Sequence, residues 1–148
     1  MAYTITFEKN PKASDVQVLG DGIIEFAKQE TQHTPMAFFA YFIRDDDTQS
    51  RGGCNGSTLY GCLYIDQLWV ETSLRGQDYG TRLVNAALAF GSEKHCTFAT
   101  VNTMSWEALG FYQKLGFEVE FQRTGFEHNA VFYFLRKSLT PVSYPQNL

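Results

Sequence analysis

Between Val70 and Arg82 the chain reads Val-Glu-Thr-Ser-Leu-Arg-Gly-Gln-Asp-Tyr-Gly-Thr-Arg: an apolar strand breaks into a basic, glycine-bearing loop and then a helix. A junction of this kind exposes backbone N–H groups at the positive end of a helix, where they can hold phosphate without a broad basic surface. A second block, Ala108-Leu-Gly-Phe-Tyr-Gln-Lys-Leu-Gly-Phe117, follows downstream. The two blocks together constrain this chain more than any other part of it.

The flanking periodicities fill in the frame. Tyr3, Ile5 and Phe7 alternate with polar neighbours, which predicts a half-buried strand. Val16, Leu19, Ile23 and Ala27 recur at helical spacing between Asp15 and Glu30, with Gly20 and Gly22 predicting a kink or two shorter helices. Strands are predicted over Met36–Ile43, Gly52–Thr58, Tyr60–Val70, Thr97–Val101, Phe117–Gln122 and Ala130–Arg136, and helices over Gly80–Phe90 and Ser105–Leu115. Asp45-Asp46-Asp47 reads as a solvated hairpin tip rather than a calcium site. This order implies an α/β (α+β) domain, a mixed sheet with helices on its faces.

At 148 residues the simplest organisation is one domain over residues 1–140, with a tail at 141–148 marked by Pro141 and Pro145. The formal net charge of -4 lacks the basic footprint of a nucleic-acid binder and suits a cationic small partner. No signal-peptide core or stretch of membrane-span length is present, so a soluble, cytoplasmic protein is expected. Cys54, Cys62 and Cys96 show no paired spacing and read as reduced thiols packed as small hydrophobes. His33, His95 and His128 are scattered, so no metal site is expected. The 13 Phe, 8 Tyr and 2 Trp suggest a core or cleft with large flat walls.

Both blocks resemble the GNAT superfamily of acetyl-CoA-dependent N-acetyltransferases. Arg75-Gly76-Gln77-Asp78-Tyr79-Gly80 is similar to that family's pyrophosphate loop, with Asp78 standing where the family usually has glycine. Ala108-x-x-Phe111-Tyr112-x-Lys114-x-Gly116-Phe117 is similar to its Ala-x-x-x-Tyr-x-Lys-x-Gly-Phe segment. The resemblance covers roughly Tyr60 to Lys137. It implies six or seven mostly antiparallel strands flanked by helices, with a V-shaped splay between two parallel central strands, those of Tyr60–Val70 and Thr97–Val101. It implies acetyl-CoA as co-substrate, bound by Leu68, Trp69 and Val70, by Arg75, Gly76, Gln77, Asp78, Tyr79, Gly80, Thr81 and Arg82, and by Ser105 and Tyr112. Ser105 stands where the family often carries Asn, although it is also a natural N-cap.

Direct acetyl transfer to an amine poses three tasks: the ammonium must lose a proton, the oxyanion needs a backbone donor near Leu68–Val70, and the thiolate must be protonated as it leaves. Tyr112 stands where the family places the acid. Asp66 is the candidate base because it interrupts an otherwise apolar strand; the alternative is a structural hydrogen-bonding role, with Glu71, Glu118 and Glu120 in reserve. Trp69 either walls the substrate channel or fills the core. The expected activity is acetyl transfer to a primary amine of a small molecule. The alternatives are a catalytically silent acyl-CoA-binding sensor or interaction module, and a protein or peptide N-acetyltransferase. Val131–Leu135, rich in aromatics, reads either as core or as a homodimer interface.

Overall fold

The computed structural model describes residues 1–31, 33 and 36–141 and divides the chain into two compact units, Met1–Pro35 and Met36–Leu148. In the first unit, α1 spans Ala13–Glu30, with Asp15 in its first turn and Lys28 in its last, both suited to the helix dipole. Gln17 and Asp21 add an i,i+4 hydrogen bond of 2.8 Å. The predicted break at Gly20 and Gly22 does not occur. Two glycines cost about 1 kcal/mol each, which thins a helix of this length without interrupting its hydrogen bonds. The strand predicted at Tyr3, Ile5 and Phe7 is not formed either: all three side chains are exposed and the backbone joins no sheet. Alternation marks a face, but a strand also needs a neighbour to take up its N–H and C=O groups.

The second unit is built on a six-stranded sheet: β1 (Ala37–Arg44), β2 (Ser50–Leu59), β3 (Cys62–Val70), β4 (Phe98–Met104), β5 (Glu118–Arg123) and β6 (Phe132–Ser138). The spatial order is β1-β2-β3-β4-β6-β5, and only β3 and β4 run parallel. Helix α2 (Tyr79–Glu93) makes the crossover between these two, and the short α3 (Leu109–Lys114) precedes β5. Leu83, Val84 and Ala87 of α2 pack with Phe39, Leu63, Ile65, Ala99, Val101 and Leu135 of the sheet, and Tyr112 and Phe117 close the same core. All three cysteines are buried free thiols, as their dispersed spacing predicted; burial pushes Cys54 and Cys62 up to about 11. The Asp45 carboxylate accepts hydrogen bonds from the Asp47 and Gln49 amides and from Arg51, which accounts for the acidic hairpin tip as a turn. Strand β6 is paired on both sides and its Leu135 is fully buried in the core. Of the two tail prolines, Pro145 lies outside the described residues.

The parallel pairing is short. Cys62–Ile65 align with Phe98–Val101, after which β3 keeps only β2 as its partner, to Val70, and β4 keeps only β6, to Met104. This is the expected V-shaped opening. At its vertex β3 carries a bulge: Asn55 pairs with Gln67 and Gly56 with Ile65, so Asp66 is the extra residue. Gly56 is required there. A Cβ at this position would run into the Tyr64 carbonyl and meet the Phe39 ring at 2.9 Å.

Because one obstacle is backbone, Gly56→Ala is expected to destabilise the fold by roughly 1–3 kcal/mol, the range for overpacking a well-packed site. Gly61→Ala adds a methyl with no neighbour within 4 Å, at a φ of 87°, and so isolates the cost of backbone strain alone. Denaturant unfolding of the two variants checks this; equal losses would show that the vertex is not tightly packed.

Candidate active site

After β3 the chain makes a single 3-10 turn, Thr72–Leu74, and enters α2 at Tyr79. Arg75 folds the loop back by donating from Nε to the Val70 carbonyl at 2.9 Å, and Gln77 Nε2 donates to the Ser73 carbonyl at 3.3 Å. Asp78 is the N-cap, held left-handed at φ 65°, ψ 8°, with no capping bond from its side chain. Asp reaches this region at lower cost than most residues, which is how it can stand at a position where glycine would be easiest. The first helical hydrogen bond runs from the Arg82 N–H to the Asp78 carbonyl at 3.0 Å. The N–H groups of Tyr79, Gly80 and Thr81 therefore have no acceptor within α2, and the helix dipole adds positive potential at the same place. Chemically this is a cradle for an anion such as phosphate.

A cavity of about 710 Å³ opens over the cradle, within the size range of small-molecule sites. Leu68, Trp69 and Val70 line it from β3, and Arg75, Gly76, Asp78, Tyr79, Gly80 and Thr81 line it from the loop and the start of α2. Gln77, Arg82, Ser105 and Tyr112 do not. Arg82 stacks its guanidinium over the Tyr79 ring at 5.3 Å. Ser105 Oγ accepts the Val131 N–H at 3.0 Å, tying the end of β4 to the residue before β6. It does not cap the helix as predicted, because α3 begins only at Leu109 with Ala108 as N-cap and no side-chain capping bond; Thr103 Oγ1 accepts the Ala108 N–H at 3.1 Å. The opposite wall holds Trp106, Glu107 and Phe111, none of which was a predicted site residue. Phe111 also packs against the core, and Trp106 is 74% exposed at the cavity rim.

The two candidate catalytic residues sit in opposite environments. Asp66, in the bulge at the vertex, is exposed; burial first, then the nearby Asp66 carboxylate, raises the phenol of Tyr64 two residues earlier. Tyr112 is only 5% exposed, its ring edge-on to Phe111 at 5.1 Å and Phe117 at 5.6 Å. Burial, and then the nearby Cys54 and Glu107, push its phenol far above the ordinary range. Tyr112 thus backs the cavity rather than lining it. Glu107, which does line it, is fixed by accepting the Met104 N–H at 3.0 Å. Among the reserves, Glu71 and Glu120 pair with Arg51 and Arg136, each at 3.6 Å, and Glu118 is exposed.

The chain matches the Acetyltransferase (GNAT) family model over residues 8–117. It is 31% identical over 86 residues to Blasticidin-S acetyltransferase of Streptomyces morookaense, across 57% of this chain and 63% of that one. It is 36% identical over 75 residues to Acetyltransferase Atu2258 of Agrobacterium fabrum (strain C58 / ATCC 33970), across 51% and 55% of the two chains. The matches therefore span less than two thirds of either relative. In fold it is similar to an acetyltransferase crystal structure from Bacillus cereus ATCC 14579, with a TM-score of 0.72 at 22% identity, covering 90% of this chain and 98% of that one.

The left-handed Asp78 gives a direct test of the loop. Asp78→Gly is expected to leave the unfolding midpoint unchanged or higher, whereas Asp78→Ala should lose roughly 1 kcal/mol, the cost of placing a Cβ residue in this region. Thermal unfolding of the pair checks it; an Ala variant as stable as the Gly variant would show that the loop relaxes out of this conformation.

Proposed function

The chain belongs to the GNAT family of acetyltransferases, and on that footing we propose that it transfers an acetyl group from acetyl-CoA directly to a primary amine of a small molecule. The observation that carries this reading is the continuity of one cavity, from the unpaired N–H groups at the start of α2 to the β3 residues that border the β3–β4 opening. A ligand with a pyrophosphate at one end and a reactive thioester at the other matches that span. The N–H groups of Tyr79, Gly80 and Thr81 would take the phosphate oxygens, with Arg75 supplying charge and Arg82 close behind. Past Ile65, β3 has no β4 ladder to satisfy its backbone on the open side, so an N–H near Leu68–Val70 is available to a developing oxyanion.

In the proposed reaction the amine nitrogen attacks the thioester carbonyl, the tetrahedral intermediate collapses, the C–S bond breaks and CoA leaves as the thiol. An alkylammonium with a pKa of about 10 must first give up a proton, and Asp66, directly or through water, is the proposed acceptor. Tyr112 is the proposed donor to the leaving sulfur. Its burial makes it a poorer acid than a free phenol, so its help is better described as a hydrogen bond that strengthens as the sulfur gains charge. The acidic balance of the chain and the carboxylates of Asp66 and Glu107 favour a cationic acceptor. The Streptomyces relative, named for blasticidin-S, supports a small molecule over a peptide.

The raised Tyr112 phenol also favours a second reading, a silent acyl-CoA-binding module. Thermal shift with CoA, set beside thiol release from acetyl-CoA across a panel of amines, separates the two; stabilisation without turnover on any amine supports the silent module. For the enzyme, Tyr112→Phe should lower kcat by roughly 10²-fold, the low end for general acid catalysis, with CoA affinity nearly intact because the ring keeps its packing. Asp66→Asn should lower the rate at neutral pH and regain it as pH approaches the amine's own pKa. Asp78→Gly should bind CoA as well or better. Wild-type kcat in Tyr112→Phe, measured where chemistry limits the rate, would leave Tyr112 a packing residue only.

A further inference from the structure

We propose that the outer face of β1–β3 carries an acceptor subsite for a flat ring, a slot walled by Phe42 and Trp69 over a floor of Gly53. The inference rests on the acetyltransferase reading and specifies its acceptor as an arylalkyl primary amine. The register builds the slot: Phe42 of β1 pairs with Gly53 of β2, which pairs with Trp69 of β3, so two aromatic side chains stand on one face with no side chain between them. Both are more than half exposed, 54% and 57%, so both rings are accessible to a ligand.

The dimensions suit a ring. Side chains two strands apart stand roughly 10 Å apart at their bases. A ring stacked between two others needs about 7 Å, two contacts of about 3.5 Å each. Phe42 leans in over Gly53, close enough that a Cβ there would meet its ring at 3.0 Å, and Arg44 stacks on Phe42 at 4.8 Å and braces it. The resulting cavity is about 270 Å³, against the roughly 150 Å³ that holds a benzene.

Polarity at one end gives the slot a preference among rings. In the neighbouring row, Asn55 Nδ2 donates to Gln67 Oε1 at 3.0 Å and Asn55 Oδ1 accepts the Gln67 N–H at 3.0 Å. This locks both amide planes while leaving further donor and acceptor positions on each carboxamide for a ring substituent. Trp69 belongs to both cavities, lining the slot and also the larger cavity proposed for acetyl-CoA, so a ring held against it borders that cavity. Asp66, the proposed base, directly precedes Gln67 in the same strand.

The test uses tyramine, which carries a hydroxyl on a flat ring two carbons from a primary amine, and 2-cyclohexylethylamine, whose ring is not flat. Calorimetric titration of the full chain without acetyl-CoA should show tyramine binding at least fivefold tighter than the cyclohexyl amine. Phe42→Ala should weaken tyramine by roughly 5- to 100-fold, the range for removing one stacking ring, with acetyl-CoA affinity unchanged. In turnover the same variant should raise the KM for tyramine, not that for acetyl-CoA. Equal binding of the two amines, or tyramine binding and KM indifferent to Phe42→Ala, would overturn the slot whether or not acetyl transfer occurs. Tyramine bound with the expected Phe42 dependence, but no amine acetylated, would sustain the slot and overturn the transferase reading. If Phe42→Ala does not fold, the wild-type preference between the two amines carries the comparison, and equal binding overturns the slot.

Discussion

The fold's functional geometry depends on one event, the end of parallel pairing between β3 and β4 after four residues. Up to Ile65 and Val101 the two strands satisfy one another's backbone; beyond them each is held only by its outer neighbour. The bulge at Asp66 lies at that vertex, and the lack of a side chain at Gly56 lets β2 accept the displaced Tyr64 carbonyl. A bulge increases local twist, which turns the end of β3 away from β4. The cavity, the exposed Asp66 carboxylate and the open edge of β3 all follow from this separation.

The second element, α2, is held by its far side. Leu83, Val84 and Ala87 fix it against the sheet, and this packing aims its N-terminus at the opening. The loop before it is a compromise between two demands. It must turn sharply, which Asp78 achieves in a left-handed conformation, and it must leave the first N–H groups of the helix unsatisfied, which the absence of a side-chain cap ensures. A conventional Ser or Asp cap would stabilise such a helix by about 1 kcal/mol but occupy one of the donors an anion needs.

The two proposed catalytic residues, Tyr112 and Asp66, sit in unlike environments. Asp66 is exposed in the bulge, two residues from Tyr64. Tyr112 is packed against Phe111 and Phe117, and burial raises its phenol. In the proposed reaction the exposed carboxylate would take the ammonium proton, and the buried phenol would hydrogen-bond the leaving sulfur.

Much of this was legible from residue order. The strand-loop-helix junction at Val70–Arg82, the helix-ending Gly116 and the alternation within β4 follow from local rules, because backbone conformation and the period of a face are set by near neighbours. The two blocks announced the family for the same reason: a strand-loop-helix junction is a local structure. Tertiary structure decided what depends on partners. Tyr3, Ile5 and Phe7 alternate like a strand yet join no sheet, since hydrogen-bonding neighbours are not encoded in alternation. Ser105 reads as a helix cap, but α3 starts later and its hydroxyl serves Val131 instead. Trp106, Glu107 and Phe111 became cavity residues only when the crossover through α2 brought the two blocks together, and Phe42 faced Trp69 across Gly53 only through strand register. Chain order fixes which groups are available, and long-range pairing alone determines which of them meet.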